Sequence, residues 1–337
     1  MSHKMTILRS KTWVKIPDCI SISQLMNENT FNTSPNKIIY EEAFTDKTKT
    51  YGQFHTDVRR AAYWLQHSYG LRAGQTVSIV APSCIDYILA VHAVWWVGGV
   101  VSLINNSLHE TEIAKALDLV QPDYLVIHDS LWDKIPLSLA LREKHCAPCI
   151  LNLGKQSDTW PSFPPQYDSA KPGELEPYSL DGQDPKTVLS TILLSSGTTG
   201  RPKAVMLSHY NLVSAIHQLR ADNPQNWRGD QREIFFPPLS HVYALYVCIT
   251  GAFWLGAYVC LMPRFHLESY CRLMQNRCAT LARLVPPVAK QLAENAVVRR
   301  FRYPALEYFS CSAAPLNVWN PRPPLTRRII RALSHLL

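Results

Sequence analysis

This sequence of 337 residues lacks a signal peptide and lacks any unbroken apolar run that is a clear membrane span. The N-terminal residues MSHKMTILRSKTWVKI have no continuous apolar core, which a secretory leader requires. Two apolar runs, 87–104 and 247–262, are interrupted by glycines, and the second is short for a bilayer. We therefore expect buried helices and strands at both places, no transmembrane segment, and a cytoplasmic protein by default.

Metal-ligand and disulfide patterns are also scarce. The nine cysteines are scattered and odd in number, which is typical of reduced, mostly buried thiols in an intracellular protein. His145, Cys146 and Cys149 form a single HCxxC group with the residue types of a metal or redox site. No second Cys or His pair follows at zinc spacing, so we expect an ordinary loop ahead of a strand.

Acidic residues are nearly absent from the C-terminal end. The formal net charge is +8, but residues 299–337 contain seven arginines and one acid, which leaves only +2 for residues 1–298. A protein that binds nucleic acid needs a basic patch on a folded face. The charge distribution therefore argues against nucleic acid as a partner.

The most informative stretch is 191–209, TILLSSGTTGRPKAVMLSH. Two apolar runs flank hydroxyl side chains, two glycines and a lysine, which predicts a strand, a phosphate-sized loop and a second strand. Glycines permit close approach to the main chain, and hydroxyls, backbone N–H groups and a lysine suit anionic oxygens. The alternative is a polar hairpin loop without a ligand. The residues predicted to bind the phosphates of a nucleotide are Ser195, Ser196, Gly197, Thr198, Thr199, Gly200, Arg201, Pro202 and Lys203.

This loop is not a Walker A motif, because its glycines are three residues apart and Pro202 precedes the lysine. The hydroxyl-rich loop followed by Gly-Arg-Pro-Lys resembles the phosphate loop of the adenylate-forming superfamily, the acyl-CoA and aryl-CoA synthetases. Ala204 stands where that family usually has glycine. Weaker resemblances run from about residue 20 to residue 316 and are of the 4-coumarate CoA ligase type.

Two further segments carry the resemblance. PPLSHVYAL, at 237–245, is similar to an aromatic-His motif of the family, with Ser240 where phenylalanine is usual. The similarity implies that His241 adjoins the carboxylate substrate and the thiol path, and that Tyr243 is a wall of the acyl pocket. Without the resemblance, a histidine at such a turn is a helix cap or a structural residue.

The second segment is CSAAPL, at 311–316, which resembles the family's Ser-Gly-Ala-Ala-Pro-Leu segment. Ser312 stands where the family has glycine, so it adds a side chain to a segment that has small residues in the family. The similarity implies an adenine and acyl pocket lined by Ser312, Ala313, Ala314 and Pro315.

The resemblance implies ATP-dependent activation of a hydrophobic carboxylic acid, aromatic or medium-chain, as an acyl-adenylate, followed by thioester formation with CoA. Motifs for the family's magnesium-binding glutamate, ribose-binding aspartate and catalytic lid lysine do not occur here. Mg²⁺ is therefore implied without its ligand, no complete catalytic set is expected, and turnover should be severely reduced. The competing hypothesis is an inactive nucleotide- or acyl-binding remnant, or a regulatory partner of an intact synthetase. A full-length relative with a Ser-Lys-Leu ending would be peroxisomal.

Strand-like and helix-like segments alternate along the chain, which predicts an α/β fold. Predicted strands lie at 37–44, 76–80, 100–104, 124–128, 233–236, 258–262, 281–285 and 306–310. Predicted helices lie at 20–26, 51–68, 83–97, 109–119, 210–219, 243–255, 267–276 and after Pro286 and Pro287. We expect two βαβ-type parallel-sheet subdomains of the adenylate-forming N-terminal domain, without the C-terminal lid domain.

The predicted division of the chain has four parts. The first α/β subdomain spans 1–150, and a Pro- and Gly-rich surface connection spans 151–186. The second α/β subdomain, 187–316, begins with the phosphate loop. Residues 317–337 form an atypical basic tail that we expect to have no selected structure. The alternative for the tail is a basic amphipathic helix at 325–337 that suits a partner or an anionic membrane surface.

Overall fold

The structure is a computed structural model that describes residues 12–143, 147–154, 159–163, 175–196 and 202–313, with residue 196 described by its backbone. His145 and Cys146 of the HCxxC group, residues 197–201 of the predicted phosphate loop and the tail at 317–337 lie outside the described residues.

Twelve strands are present in the described part of the chain. They are β1 (Ile38–Glu42), β2 (Thr48–Thr50), β3 (Thr76–Val80), β4 (Val100–Ile104), β5 (Tyr124–His128), β6 (Cys149–Leu153), β7 (Leu189–Ser196), β8 (Pro202–Ser208), β9 (Arg232–Phe235), β10 (Tyr258–Leu261), β11 (Leu281–Leu284) and β12 (Tyr308–Cys311). Three of them, β3, β4 and β5, have the bounds that the sequence predicts.

The helices alternate with these strands. They are α1 (Ile22–Asn27), α2 (Tyr51–His67), α3 (Ile85–Val97), α4 (Glu110–Val120), α5 (Lys134–Ala140), α6 (His209–Asp222), α7 (Val242–Ala244), α8 (Ala252–Leu255), α9 (Leu267–Asn276) and α10 (Pro286–Glu294). Short 3₁₀ segments occur at Asp129–Leu131, Pro224–Asn226 and Ala296–Arg300. A π-helix, Leu245–Gly251, joins α7 to α8, so that the predicted helix at 243–255 is present with a wide central part.

The strands form two mixed sheets of six. Sheet I has the order β6-β5-β3-β4-β7-β8, and sheet II has the order β12-β11-β9-β10-β1-β2. Adjacent strands are parallel except in the pairs β1–β2 and β7–β8, which are antiparallel. The α/β class with two largely parallel sheets is therefore confirmed.

The sheets do not follow the order of the chain. The β7–β8 hairpin was expected to open the second α/β unit, but β7 pairs with β4 and completes sheet I. The early strand β1 pairs instead with β10 in sheet II. The prediction grouped strands by sequence proximity, whereas strand pairing is decided by contacts between residues that are far apart in the chain.

Helices α2 and α3 and the segment 242–255 pack between the two sheets and form the largest core. Helices α9 and α10 cover the other face of sheet II, and α4 and α5 cover the other face of sheet I. Inside the central core, His92 Nε2 donates to the carbonyl oxygen of Ile249 at 2.9 Å. Burial lowers the pKa of His92 to about 4, so this ring is neutral in the folded protein.

The two apolar runs singled out in the sequence are core elements, as expected. Run 87–104 forms most of α3 and all of β4, and run 247–262 ends in β10. Among the described residues, no helix has both the length and the apolar character that crossing a membrane requires.

The predicted surface connection at 151–186 is more ordered than expected where it is described. Strand β6 continues to Leu153, and the side chains of Phe163 and Leu180 are buried. The Tyr178 N–H donates to the carbonyl oxygen of Trp96 at 3.0 Å, and its own carbonyl accepts from Ser21 Oγ at 2.6 Å. Proline and glycine content predicted irregular backbone correctly, but irregular backbone can still dock on a core through its side chains.

The carboxyl edges of the two sheets face each other. After β3, Ser83 Oγ accepts from the Leu239 N–H at 3.3 Å, and Leu239 follows β9. At the end of β1, Glu42 Oε1 accepts from the Ile85 N–H at 3.0 Å. Ligand-contacting side chains of open α/β sheets are carried at this edge. Two such edges therefore enclose one cleft.

Candidate functional site

The predicted phosphate loop lies at the tip of the β7–β8 hairpin. Ser195 is opposite Lys203 and Ser196 is opposite Pro202 in the antiparallel register, so residues 197–201 connect the paired ends. The two predicted strands are thus present, and the loop residues Gly197, Thr198, Thr199, Gly200 and Arg201 lie outside the described part. Because β7 runs parallel to β4, the loop follows a strand at the carboxyl edge of sheet I.

The hairpin is anchored by one strand and exposed on the other. Ile192 and Leu193 of β7 are buried in the sheet, whereas β8 is an edge strand in which Lys203, Val205 and Met206 are exposed. Buried apolar side chains fix β7, and β8 is held by its pairing with β7. Lys203 is therefore an exposed residue of the edge strand, opposite Ser195.

His241 is the N-cap of the helical segment that follows β9. Its Nδ1 accepts a hydrogen bond from the Tyr243 N–H at 3.2 Å, and its own N–H donates to the Pro238 carbonyl oxygen at 3.1 Å. Since Nδ1 is an acceptor, the proton of the neutral ring is on Nε2. The histidine thus has the capping role that a turn position suggests, and it also presents an Nε2–H donor.

A cavity of about 440 Å³ lies between the two carboxyl edges. It brings together Ser195 and Pro202 of the hairpin with Ser240 and His241 of the β9 turn. Its remaining lining residues are Leu103, Asn105, Leu108, Glu112, Lys115, Ala116, Leu194 and Pro238. Lys203, Tyr243, Ser312 and Ala313 do not line this cavity.

Sequence reasoning missed the wall that α4 contributes. Glu112 and Lys115 are exposed charged residues of α4 at this cavity. The Glu112 carboxylate also accepts from the His109 N–H at 2.8 Å, as in a capping box. The His-x-x-Glu spacing marks the start of α4 in the sequence. It does not reveal that this helix borders the hairpin, because that depends on the pairing of β4 with β7.

Tyr243 lies deeper, on the sheet II side. Its half-buried ring stacks on that of Phe235, with centroids 6.2 Å apart and planes inclined by 16°. Burial raises the pKa of the Tyr243 hydroxyl, and the nearby charge of Glu233 raises it further. The π-helix begins two residues later, and in it the Thr250 hydroxyl donates to the Leu245 carbonyl oxygen at 2.8 Å. Such wide helical turns are frequent at functional sites.

The small-residue segment follows β12 at the carboxyl edge of sheet II. The Ser312 N–H donates to the Leu284 carbonyl oxygen at 3.1 Å, and Ala313 has a φ of +75°. A positive φ is uncommon for a residue with a Cβ, so the chain turns sharply here. Ser312 and Ala313 are exposed, and Ala314 and Pro315 lie outside the described residues.

Residues 27–320 match the family of AMP-binding enzymes. The chain belongs to this family. Since the match covers most of the sequence, the two-sheet fold, the hairpin and the His241 turn are all parts of one family domain.

Proteins similar to this chain include 4-coumarate–CoA ligases. The chain is 28% identical over 330 residues to 4-coumarate–CoA ligase 2 of Oryza sativa subsp. japonica, covering 93% of this chain and 56% of the relative. It is 26% identical over 286 residues to 4-coumarate–CoA ligase 3 of Arabidopsis thaliana, covering 81% of this chain and 47% of the relative. The chain therefore spans about half the length of these relatives.

The same fold occurs in a solved long-chain-fatty-acid-CoA ligase from Archaeoglobus fulgidus. The TM-score is 0.81 at 19% sequence identity, covering 98% of this chain and 64% of that one. This similarity concerns the fold alone.

Proposed function

We propose that this chain binds ATP through the hairpin loop at 195–203 and activates a hydrophobic carboxylic acid, aromatic or medium-chain, as its acyl-adenylate. CoA then receives the acyl group as a thioester. The observation that carries the proposal is the single cavity lined by Ser195 of the hairpin and by His241 of the opposite sheet. The names of the 4-coumarate–CoA ligase relatives support an aromatic acid.

The nucleotide phosphates are assigned to the hairpin tip. Hydroxyls, two glycines and two basic residues follow β7, and their donors suit anionic oxygens. Ser195 and Lys203 hold the two ends of this loop in register. Ser312 and Ala313, with Ala314 and Pro315, are assigned to the adenine because small side chains let a flat base approach the backbone.

The carboxylate is assigned to the space beside His241. Nδ1 of His241 accepts a hydrogen bond from the Tyr243 N–H, so the Nε2–H group can donate to a carboxylate oxygen. In the first step a carboxylate oxygen forms a bond to the α-phosphorus, the bond from that phosphorus to the bridging oxygen breaks, and pyrophosphate leaves. In the second step the thiol sulfur bonds to the acyl carbon, AMP leaves, and the thiol proton goes to a base or solvent.

The cavity itself is assigned to the incoming thiol. Ser240 lines it where the family usually has phenylalanine, and a smaller side chain leaves more room beside His241. Glu112 and Lys115 of α4 border the same space. A cavity of this volume accommodates an extended chain that carries a thiol to the acyl carbon.

Within the described ranges, no group of three or more His, Cys, Asp and Glu side chains is arranged to hold a metal ion. The family resemblance implies Mg²⁺, which would offset the negative charge of the phosphate oxygens when bound. The residues assigned above position the nucleotide, the acid and the thiol.

The test measures ATP binding and pyrophosphate release by the purified chain with a panel of aromatic and fatty acids. We expect ATP to bind and pyrophosphate to be released only when a suitable acid is present. ATP binding without pyrophosphate or acyl-adenylate for any acid would favour the competing class, a nucleotide-binding protein without turnover. Absence of ATP binding would contradict both.

A further inference from the structure

The loop at 81–84, between β3 and α3, is bonded across the cleft to the opposite sheet. Its residue Ser83 is buried, and the Oγ atom accepts a hydrogen bond from the Leu239 N–H at 3.3 Å. Leu239 lies in the turn after β9 and is only 2% exposed. Since β3 belongs to sheet I and β9 to sheet II, this hydrogen bond joins the two carboxyl edges.

The turn that receives this hydrogen bond is 237–241, PPLSH, which ends at His241. Its two prolines have a restricted φ and carry no N–H group. The N–H of His241 is used within the turn, because it donates to the Pro238 carbonyl oxygen at 3.1 Å. The Leu239 N–H therefore bonds a stiff turn to sheet I, two residues before the histidine.

The other end of the loop is bonded to a different strand of sheet II. The N–H of Ile85, the first residue of α3, donates to Glu42 Oε1 at the end of β1 at 3.0 Å. The next residue, Asp86, forms an ion pair with Lys47, which lies between β1 and β2. Strand β10 separates β1 from β9 in sheet II. Two anchors at separate strands hold both the position and the orientation of the loop.

The spacing of the two carboxyl edges matters for the proposed first step. The hairpin loop at 195–203, assigned to the phosphates, belongs to sheet I, whereas His241, assigned to the carboxylate, follows a strand of sheet II. A carboxylate oxygen has to meet the α-phosphorus in line, and a misplacement of about 1 Å can slow such a reaction about 100-fold. A hydrogen bond between the two edges therefore affects the rate without touching either ligand.

We infer that Ser83 is a positioning residue for adenylate formation. Its hydrogen bond to the Leu239 N–H holds the His241 turn at the distance from the hairpin that the reaction needs. The inference rests on the proposed function, which assigns the phosphates to the hairpin and the carboxylate to His241. Ser83 is not a lining residue of the cavity at His241, so it acts through the turn.

A positioning role predicts a specific kinetic pattern in Ser83→Ala, which removes the acceptor. ATP is assigned to the hairpin and the segment after β12, and the acid to the region of His241 and Tyr243, so neither site contains this hydrogen bond. Calorimetry should therefore give affinities for ATP and for the acid, each measured alone, within twofold of the wild type. The single-turnover rate of adenylate formation should fall at least tenfold. Ser83→Thr keeps a hydroxyl acceptor and should recover the rate to within threefold of the wild type.

The matched control removes a hydrogen bond of the same kind on the far side of sheet II. Thr280 Oγ1 accepts from the Arg232 N–H at 3.0 Å, where β9 and β11 begin. These amino ends of the strands are opposite the cleft. Thr280→Val should therefore keep the rate of adenylate formation within twofold of the wild type. Thermal unfolding of each variant shows whether it is folded.

The second anchor gives an independent pair of variants. Glu42→Gln keeps an oxygen that accepts from the Ile85 N–H, whereas Glu42→Ala does not. We expect Glu42→Ala to slow adenylate formation at least threefold, with both affinities unchanged, and Glu42→Gln to stay within twofold of the wild type.

The outcomes separate this inference from the proposed function. Equal adenylate rates in the wild type and Ser83→Ala would overturn the inference while leaving the proposed function in place. A loss in Thr280→Val as large as that in Ser83→Ala, or a rate loss fully explained by weaker binding of ATP or acid, would also overturn it. Failure of the wild type to form adenylate from any acid would overturn the proposed function and this inference with it.

Discussion

Ser195 and Lys203 are opposite each other in the antiparallel register of the β7–β8 hairpin. This pairing therefore fixes the position of the lysine backbone relative to the start of the hydroxyl-rich loop. Ser195 also lines the cavity that His241 borders from the other sheet. The hairpin that carries the predicted phosphate site therefore also borders the cavity at the predicted carboxylate site.

Replacing Lys203 tests the phosphate assignment. In Lys203→Ala, we expect ATP binding to weaken by about 1–3 kcal/mol, the range of a charge-assisted contact. Calorimetry with ATP and with AMP checks this, and the loss should be smaller for AMP because it lacks the outer phosphates. Lys290→Ala, at an exposed position of α10, is the control. Equal ATP affinities in the wild type and the Lys203 variant would remove this lysine from the phosphate site.

His241 has two roles that different substitutions separate. His241→Asn keeps a side-chain acceptor for the Tyr243 N–H but removes the ring, whereas His241→Ala loses both. We expect a loss of about 1 kcal/mol in unfolding free energy for Ala relative to Asn, which denaturant titration measures. Both variants should reduce acyl transfer at least tenfold while leaving ATP affinity within twofold. Wild-type acyl transfer by the Asn variant would show that His241 acts only as the helix cap.

Two buried histidines make the stability dependent on pH. Burial lowers the pKa values of His92 and His209 to about 4, below the ordinary value of 6.5. Above pH 6.5 these rings are neutral in both the folded and the unfolded protein. Between about pH 6.5 and pH 4, the unfolded chain binds protons at these rings more readily than the folded protein does. The free energy of unfolding should therefore fall in this window as the pH is lowered, by about 1.4 kcal/mol per pH unit for each histidine.

Denaturant titrations at pH 7, 6 and 5 check this slope. In the wild type, Nδ1 of His209 accepts a hydrogen bond from the Ile22 N–H at 3.2 Å. His209→Asn retains a side-chain acceptor for this N–H. This variant should reduce the acid slope by up to about 1.4 kcal/mol per pH unit, the contribution of one such histidine. A slope that the His209 variant does not alter would show that this ring does not contribute to acid destabilisation.

Gly98 tests the docking of the connection between β6 and β7. It ends α3 with a φ of +85°, and a Cβ there would lie 2.5 Å from a ring carbon of Tyr178. Gly70 has a φ of +72° with no atom within 4 Å of its Cβ position. We expect Gly70→Ala to cost about 1 kcal/mol from backbone strain alone, and Gly98→Ala about 3 kcal/mol. Equal losses in unfolding free energy would mean that Tyr178 moves aside freely.

The core strands were predictable from local pattern. Strands β3, β4 and β5 coincide with the predicted 76–80, 100–104 and 124–128 because each is an apolar run buried on both faces. Turns, helix starts and the lengths of such runs are local properties. Element positions therefore follow from the sequence to within a few residues.

The assembly of the elements was not predictable in the same way. The pairings of β1 with β10 and of β4 with β7 join strands that are far apart in the chain, and no local pattern encodes them. The same holds for the site. Its sequence motifs indicate the hairpin and His241, but the contribution of α4 depends on which sheet the hairpin completes.

The sequence did not reveal the buried ion pair between Glu233 and Arg283, for a related reason. The predicted strand at 233–236 begins with Glu233, and its partner Arg283 is 50 residues further along the chain. A signal was present in Arg283, because an arginine inside the otherwise apolar strand Leu281–Leu284 requires a partner once that strand is buried. The sequence alone does not identify which acidic residue is that partner.

The central claim is that the hairpin and His241 together form one site for acyl-adenylate chemistry. The most direct measurement is a single-turnover reaction of the purified chain with ATP and the acid that it binds best, with the acyl-adenylate detected by mass spectrometry. We predict adenylate formation that depends on the acid, approaches one equivalent per chain, and falls at least tenfold in both Lys203→Ala and His241→Asn. Bound ATP with no adenylate from any acid would contradict the account.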